Sequence, residues 1–386
     1  MIYLDYASTT PVNQEVLKAY TYVLEKYYAN TDSLHDAGLK VAELMEQSRE
    51  QTASCLKVKA NELMFTSGAS EANNTAIKGS AFALQHRGKH LITSCVEHSS
   101  VDQTMKQLQE LFGFEVTYLP VNSSGVVEAE TLRQALRKDT ILVSIMALNN
   151  EVGSINDIAE LAKVTHESSR AVFHSDCTQI LGKQPLTFLP DIELASFSAH
   201  KIYGLKGSGL LYHKQNVRLV PLICGGQQEA GLRGGTSNAP CNIAWAKTMR
   251  IAFDAVTEAE IDEKMDEYSR HVSELNQRLR LGLAEIDGVE INSPQDATPY
   301  ILNFSVKGMT SEVMLNALNH YGICVSSRST CSSKTKAPSK VLMAMGISEE
   351  RATHSLRISL SHLSKKSEVD ELLNVLKEIF NDYRIK

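Results

Sequence analysis

At 386 residues the chain is too long for one ordinary core and suggests about two or three domains. Hydrophobic residues make up 43% and charged ones 22%, an ordinary globular balance, and the formal charge of −6 argues against broad non-specific nucleic-acid binding, which needs a basic footprint. The seven cysteines are scattered with no CxxC pair, so neither a disulfide framework nor a zinc site is expected.

The chain opens on "MIYLDYASTTPV", which has neither the basic n-region nor the apolar h-region of a signal peptide. No apolar run approaches the roughly 20 residues of a membrane span. The expectation is a cytoplasmic protein with reduced thiols, no membrane contact and no direct nucleic-acid contact, although a docked partner could itself carry RNA.

From about residue 60 to 225, short apolar runs alternate with helical-period segments. "ELMFTS", "KHLITSCV", "FEVTYLPV", "TILVSIMAL", "RAVFHSD", "ELASFSA" and "GLLYHK" read as strands. "SEANNTAIKGSAFALQ", "ETLRQALRK" and "INDIAELAKVTHES" read as helices between them. The alternation predicts an α/β fold with a mainly parallel seven-stranded sheet and helices on both faces. Ligands of such sheets sit beyond the carboxyl ends of the strands.

After the Gly-rich "GGQQEAGLRGGTSNAP" the pattern changes. A long helix, "EAEIDEKMDEYSRHVSELNQRLRLGLAEI", leads into strands "YILNFSV", "GICVSS" and "SLRISLS" and helices "SKVLMAMG" and "EVDELLNVLKEIFNDY". We read residues 15–255 as a large domain and 256–386 as a smaller α+β domain joined by the N-terminal segment 1–14.

Three motifs carry chemistry. In "FTSGASEANNTAIKG" a strand ends at Thr66 and a helix begins near Glu71. Free N–H groups at that helix start make an anion site, although a simple N-cap by Ser67 or Ser70 reads the same way. In "HSDCTQ", Asp176 ends a strand, and in "SFSAHKIYGLKGSG", Lys201 follows another with Ser198 and His200 just before it. Taken alone, Lys201 reads equally as a surface lysine. An amine and a carboxylate at neighbouring strand ends beside an anion turn suit pyridoxal phosphate. The amine forms a Schiff base and the carboxylate pairs with the pyridinium nitrogen.

"YLDYASTTPV", "FTSGASEANNTAIKG", "EHSS", "NNEVG", "HSDCTQ", "SFSAHKIYGLKGSG" and "RGGT" together resemble the pyridoxal-phosphate cysteine desulfurases of the NifS/IscS type, class V aminotransferase-like enzymes of fold-type I. The likeness runs from Tyr3 almost to the C-terminus. It implies that Lys201 holds the cofactor, Asp176 supports the ring nitrogen, Gln179 bonds the phenolic oxygen and His98 lies over the ring and moves protons. It also implies a phosphate cup of Ala69, Ser70, Ser198 and His200, completed in a homodimer by Thr236 of the partner subunit. Asn150, which also counts among the cofactor-binding residues, and Arg357 would hold the substrate carboxylate. A guanidinium suits that task, and an edge-strand ion pair is the other reading of Arg357.

Cys331, in the polar stretch "SSRSTCSSKTKAPSK", falls at the family's nucleophile position. The resemblance implies that its thiolate takes sulfur from L-cysteine as a persulfide and that alanine is released. Arg328, Lys334 and Lys336 nearby favour the thiolate, and Arg328 stands where relatives have glycine. A missing proline in "NTDSLHDAG" leaves Asn30 without an assigned role. The chain ends at "IFNDYRIK", without the C-terminal extension of similar housekeeping members. This tilts the expected acceptor toward a tRNA-thiolating sulfurtransferase over an iron–sulfur scaffold. A selenocysteine lyase-like enzyme and a catalytically degenerate sulfur-relay partner are the alternatives; Cys331 argues against an aminotransferase. Cys55, Cys95, Cys177 and Cys324 read as packing residues, with Cys177 turned to the strand face opposite Asp176.

Overall fold

The computed structural model describes residues 1–252, 258–327 and 337–384. Strands β1 (Ile2–Tyr3), β2 (Leu63–Thr66), β3 (His90–Ser94), β4 (Glu115–Leu119), β5 (Thr140–Ser144) and β6 (Val172–Asp176) come first. β7 (Leu194–Ser198), β8 (Gly209–His213), β9 (Val289–Ile291), β10 (Ile301–Val306), β11 (Ile323–Cys324) and β12 (Ser355–Ser359) follow. Among the described residues, seven strands form one sheet in the order β2-β8-β7-β6-β5-β3-β4. β8 runs antiparallel to both its neighbours and the other pairings are parallel, as the alternation of strand and helix predicted.

Apart from the edge strand β4, these strands are buried on both faces, which is why they read as near-continuous apolar runs rather than alternating ones. Successive residues point to opposite sides, and so Met64, Leu91 and Leu211 join one core cluster while Phe65, Ile92 and Leu210 join the other. The first cluster is closed by the helix Ala69–Leu84 through Ala72, Ala76 and Ile77. Small residues on that helix let it lie close to the sheet.

A second sheet, β12-β10-β9, is antiparallel, and β1 pairs with β11 in parallel. A bridge between Asp5 and Ser359 extends the tie between the N-terminal segment and this region. The domain boundary expected near residue 255 falls among residues 253–257, outside the described ones.

Strand–helix alternation left several helices unread: Gln14–Lys26, Asp36–Leu56, Ser99–Phe112, Ala239–Ala252 and Ser311–His320. β1 and β9 are too short for an alternation signal. Among the described residues, no helix is long and apolar enough to cross a membrane.

Every parallel strand, together with β2, ends at the same rim, and there the start of β8 meets the turn before the Ala69–Leu84 helix. Gly68, the N-cap of that helix, has φ +155°, a conformation that excludes most side chains. Gly209 faces it closely: a Cβ built there would lie 2.5 Å from the Gly68 carbonyl carbon. Gly209→Ala is therefore expected to cost about 1–3 kcal/mol of stability, the usual penalty of overpacking. Denaturant melts of the variant against the parent check this.

Candidate active site

The rim of the large sheet carries the expected residues. Lys201 closes the short 3-10 turn Ala199–Lys201 that follows β7. Its Nζ donates to the carbonyl oxygens of Ala7 (2.6 Å) and Ser8 (2.8 Å), so the N-terminal segment passes directly over it. Asp176, the last residue of β6, is 6% exposed. One carboxylate oxygen accepts from Asn73 Nδ2 (2.8 Å) and the other from the backbone N–H of Thr178 (3.0 Å).

Gln179 is buried beside Lys201. Its Nε2 donates to the same Ala7 carbonyl (2.9 Å), and its Oε1 accepts from Lys183 Nζ (2.8 Å). Burial pushes the Lys183 ammonium down to about 7, and the like charges of Lys201 and Arg357 add to the effect.

His98 precedes the helix Ser99–Phe112 as its N-cap, and its Nδ1 accepts from the Ser100 backbone N–H (3.2 Å) and bonds Ser100 Oγ (2.8 Å). Asn73 Nδ2 donates to that same Ser100 hydroxyl (2.9 Å) as well as to Asp176. The chain His98–Ser100–Asn73–Asp176 thus makes Nδ1 the acceptor and leaves the neutral ring's proton on Nε2.

The anion end is open. No side chain caps the Ala69–Leu84 helix at Gly68, and Ala69 and Ser70 are its first residues. Glu71 turns away, accepting from Ser67 N–H (2.8 Å) and pairing with Arg233 (3.0 Å). Ser198 is buried at the end of β7, and His200 Nδ1 bonds Thr9 Oγ1 (3.1 Å). Burial, with Lys201 and Lys206 nearby, pushes His200 down to about 4, so its ring is neutral. Thr236 is exposed, between Gly235 and Ser237, which line a cleft with Ser67 and Gly207.

Arg357, on β12, is 1% exposed, and Nη2 pairs with Asp5 Oδ1 (2.9 Å) and donates to Ser8 Oγ (2.6 Å). Nη1 donates to the Asn150 carbonyl (2.8 Å), so Asn150 meets this arginine through its backbone. Arg357 therefore does form an ion pair, inside the protein rather than at an exposed edge. Cys331, with Arg328, Lys334 and Lys336, lies outside the described residues. Cys177 is fully buried, and burial raises the thiol pKa of Cys55, Cys95 and Cys177.

Several residues here had no signal in a strand–helix reading. Asp5, Ala7 and Ser8 sit in the opening motif, whose role depends on contacts more than 190 positions away. Asn73 is fully buried on a helix face otherwise lined by Ala72, Ala76 and Ile77. A polar residue on an apolar helix face is the mark that could have singled it out.

Buried polar atoms lacking a partner gather here: Asn73 Oδ1, Thr178 Oγ1 and Arg357 Nε. With a strand-end amine, a carboxylate acceptor and an uncapped helix start, they fit an aromatic nitrogen heterocycle bearing a carbonyl and a phosphate. Pyridoxal phosphate has that donor and acceptor pattern.

The comparisons agree along the whole chain. A family model described as aminotransferase class-V matches residues 2–372. A protein of Dictyoglomus turgidum named cysteine desulfurase IscS is 40% identical, over 99% of this chain and 95% of its own. A NifS/IcsS protein homolog of Lactobacillus delbrueckii subsp. bulgaricus is 39% identical over 99% and 98%. The solved structure of a NifS-like protein superposes with a TM-score of 0.90 at 36% identity, covering 98% of this chain and 99% of that one.

One acid at this rim has an unusual state. Burial pushes the Glu97 carboxyl up to about 8, against donation from Ser94 Oγ (2.5 Å) and Met146 N–H (3.0 Å). A folded-state value above the unfolded one gives stability that is full below about pH 4.5 and lost as pH rises through 8. Glu97→Gln is expected to flatten the decline in melting temperature between pH 5 and pH 8, read by thermal melts across that range.

Proposed function

This chain belongs to the class V aminotransferase family, and on that premise we propose that it is a pyridoxal-phosphate-dependent L-cysteine desulfurase that releases L-alanine and leaves sulfur on Cys331 as a persulfide. The observation that carries the reading is Ser8. Its carbonyl oxygen accepts from Lys201 and its hydroxyl from Arg357, so an amine for a cofactor carbonyl and a guanidinium for a carboxylate are neighbours. That spacing suits an α-amino acid, which presents both groups from one carbon.

The cofactor, when bound, supplies an electron sink for the charge that develops at the substrate Cα. Lys201 would hold it by the amine, Asp176 would accept at its ring nitrogen, and Ala69, Ser70, Ser198 and His200 would surround its phosphate. Thr236 of the partner subunit would complete that cup in a homodimer. His98 is tied through Nδ1, so its Nε2 is the atom available to hold or pass a proton. Arg357, with Asn150 beside it, would bind the substrate carboxylate.

Sulfur transfer needs no outside oxidant. The substrate Cβ–S bond breaks, an S–S bond forms to Cys331, and the electron pair left on carbon takes up a proton to give the methyl group of alanine. The persulfide then passes to an acceptor protein, for tRNA thiolation or iron–sulfur assembly, in a reducing, cytoplasmic setting. On the same reading, residues 15–255 bind the cofactor, and 256–386 form the smaller domain, tied to the N-terminal segment by the β1–β11 pair.

The purified protein is expected to be yellow and to release equimolar alanine and sulfide from cysteine with a reductant. Cys331→Ala should keep the colour and lose sulfur transfer by at least about 100-fold, as expected for a nucleophile. A colourless protein with Lys201 intact would overturn the cofactor reading. Unchanged transfer in Cys331→Ala would overturn the nucleophile alone. Radiolabelled sulfur offered to a tRNA sulfurtransferase and to an iron–sulfur scaffold separates the two acceptor classes.

A further inference from the structure

We propose that Lys183 is a positioning residue for the cofactor's phenolic oxygen, acting by fixing which end of the Gln179 amide faces the ring. The inference rests on the cofactor reading above and assigns a task to a half-buried lysine that the chemistry otherwise leaves unused.

Gln179 is gripped at both ends of its amide. Ala7 O accepts at 2.9 Å, which requires an N–H, and Lys183 Nζ donates at 2.8 Å, which requires an oxygen. A flipped amide would set Oε1 against the Ala7 carbonyl, losing that bond, and Nε2 against Lys183, which as an ammonium has no lone pair to accept it. Only one N–H of Nε2 is needed for Ala7, and the second is available to another acceptor.

The location of that acceptor follows from Lys201. Its Nζ bonds the same Ala7 oxygen at 2.6 Å, so the Gln179 amide and the reactive amine are neighbours. On a pyridoxal ring the carbon bonded to the amine and the phenolic oxygen sit on adjacent ring positions, while the ring nitrogen lies opposite. The other adjacent position carries the phosphate arm, which the Ala69–Ser70 and Ser198–His200 side takes. A donor beside Lys201 on the Ala7 side is therefore the one within reach of the phenolic oxygen, and Asp176 is left to the nitrogen.

Lys183 is not placed there to neutralise an acid. Among the described residues, the charges that act on it are those of the cations Lys201 and Arg357, after burial itself. The remaining side of its surroundings is a cavity of about 20 Å³, shared with Lys201, Tyr6, Tyr203, Tyr300 and His362, which has room for about one water. Whether ammonium or neutral amine, the group keeps N–H donors for Gln179 Oε1, so the orientation survives titration.

The test follows the pH midpoint of the visible band of the cofactor-loaded protein, with melts confirming folding. A donor to the phenolic oxygen favours its deprotonated form, so losing that donor raises the midpoint. Lys183→Met, which leaves the Ala7 carbonyl as the amide's remaining fixed partner, is expected to raise it by about half a unit to one unit, up to the size of one hydrogen bond to a charged group. Lys183→Gln, an uncharged donor, is expected to stay near the parent value. In a Gln179→Leu background, Lys183→Met should move the midpoint by less than about 0.3 unit, because the two residues act in series.

Coincident parent and Lys183→Met midpoints would overturn the proposal. So would an equal shift in Lys183→Gln, or a full shift in the Gln179→Leu background, since either marks a through-space charge. A parent protein with no visible band would instead overturn the cofactor reading, and the role of Lys183 with it.

Discussion

Residues 5–8 hold a buried guanidinium and a half-buried amine at one place, and the rest of the site is arranged around that turn. Ala7 and Ser8 give carbonyl oxygens to Lys201, while Asp5 and the Ser8 hydroxyl take Arg357. Removing a charge from water costs several kcal/mol even after relaxation, and one carboxylate with two carbonyl dipoles only partly offsets two cations. Lys183 adds a third nitrogen whose proton is loosened first by burial and further by the other two cations. The Lys201, Arg357 and Lys183 nitrogens stand on the side of the site that Asp5 and the two carbonyls line, while the Asp176 carboxylate stands apart with Asn73 and Thr178. The site thus presents cationic and anionic groups at separate places.

The same turn explains why β1 exists. Two residues of strand are too few to be stable alone, yet they pair with β11, and Asp5 bridges Ser359. Those contacts fix the height at which Ala7 and Ser8 cross the rim. Arg357 is reached from β12 and Lys201 from β7, so the turn is where the two sheets are brought into register. A shift of the second sheet would move the guanidinium relative to the amine.

The sheet was legible in the sequence because fully buried strands are apolar runs of four to five residues with helices between them. β5, read as "TILVSIMAL", ends at Ser144, although Ile145 and Ala147 still donate to His174 and Asp176 on β6. The apolar run outlasts the regular ladder because the chain stays buried as it leaves the sheet. Lys201 and Asp176 could be picked out because strand ends are where such folds expose polar groups. Asp5 could not, since its meaning is carried by Arg357, 352 positions away, and an aspartate in an opening motif has an unremarkable local reading. Asn73 and Lys183 do carry local marks, which a strand–helix reading passes over: a polar residue on an apolar helix face and an i,i+4 partner of Gln179.

Asn73 shows what such a residue adds. One amide nitrogen donates both to the Asp176 carboxylate and to the Ser100 hydroxyl that holds His98. The histidine tautomer and the carboxylate orientation are thereby set by one rigid group on the best-packed helix of the sheet. Glu97, next to His98, stays protonated at neutral pH because its carboxyl is buried and Asp176 and Asp102 repel a second charge. Two acids near one rim are thus held differently: Glu97 as a neutral anchor for Ser94 and Met146, Asp176 as an acceptor for the Asn73 amide and the Thr178 N–H. If Glu97 ionised, its charge would oppose that of Asp176, so the burial that keeps it neutral leaves Asp176 the single charged acid of the pair.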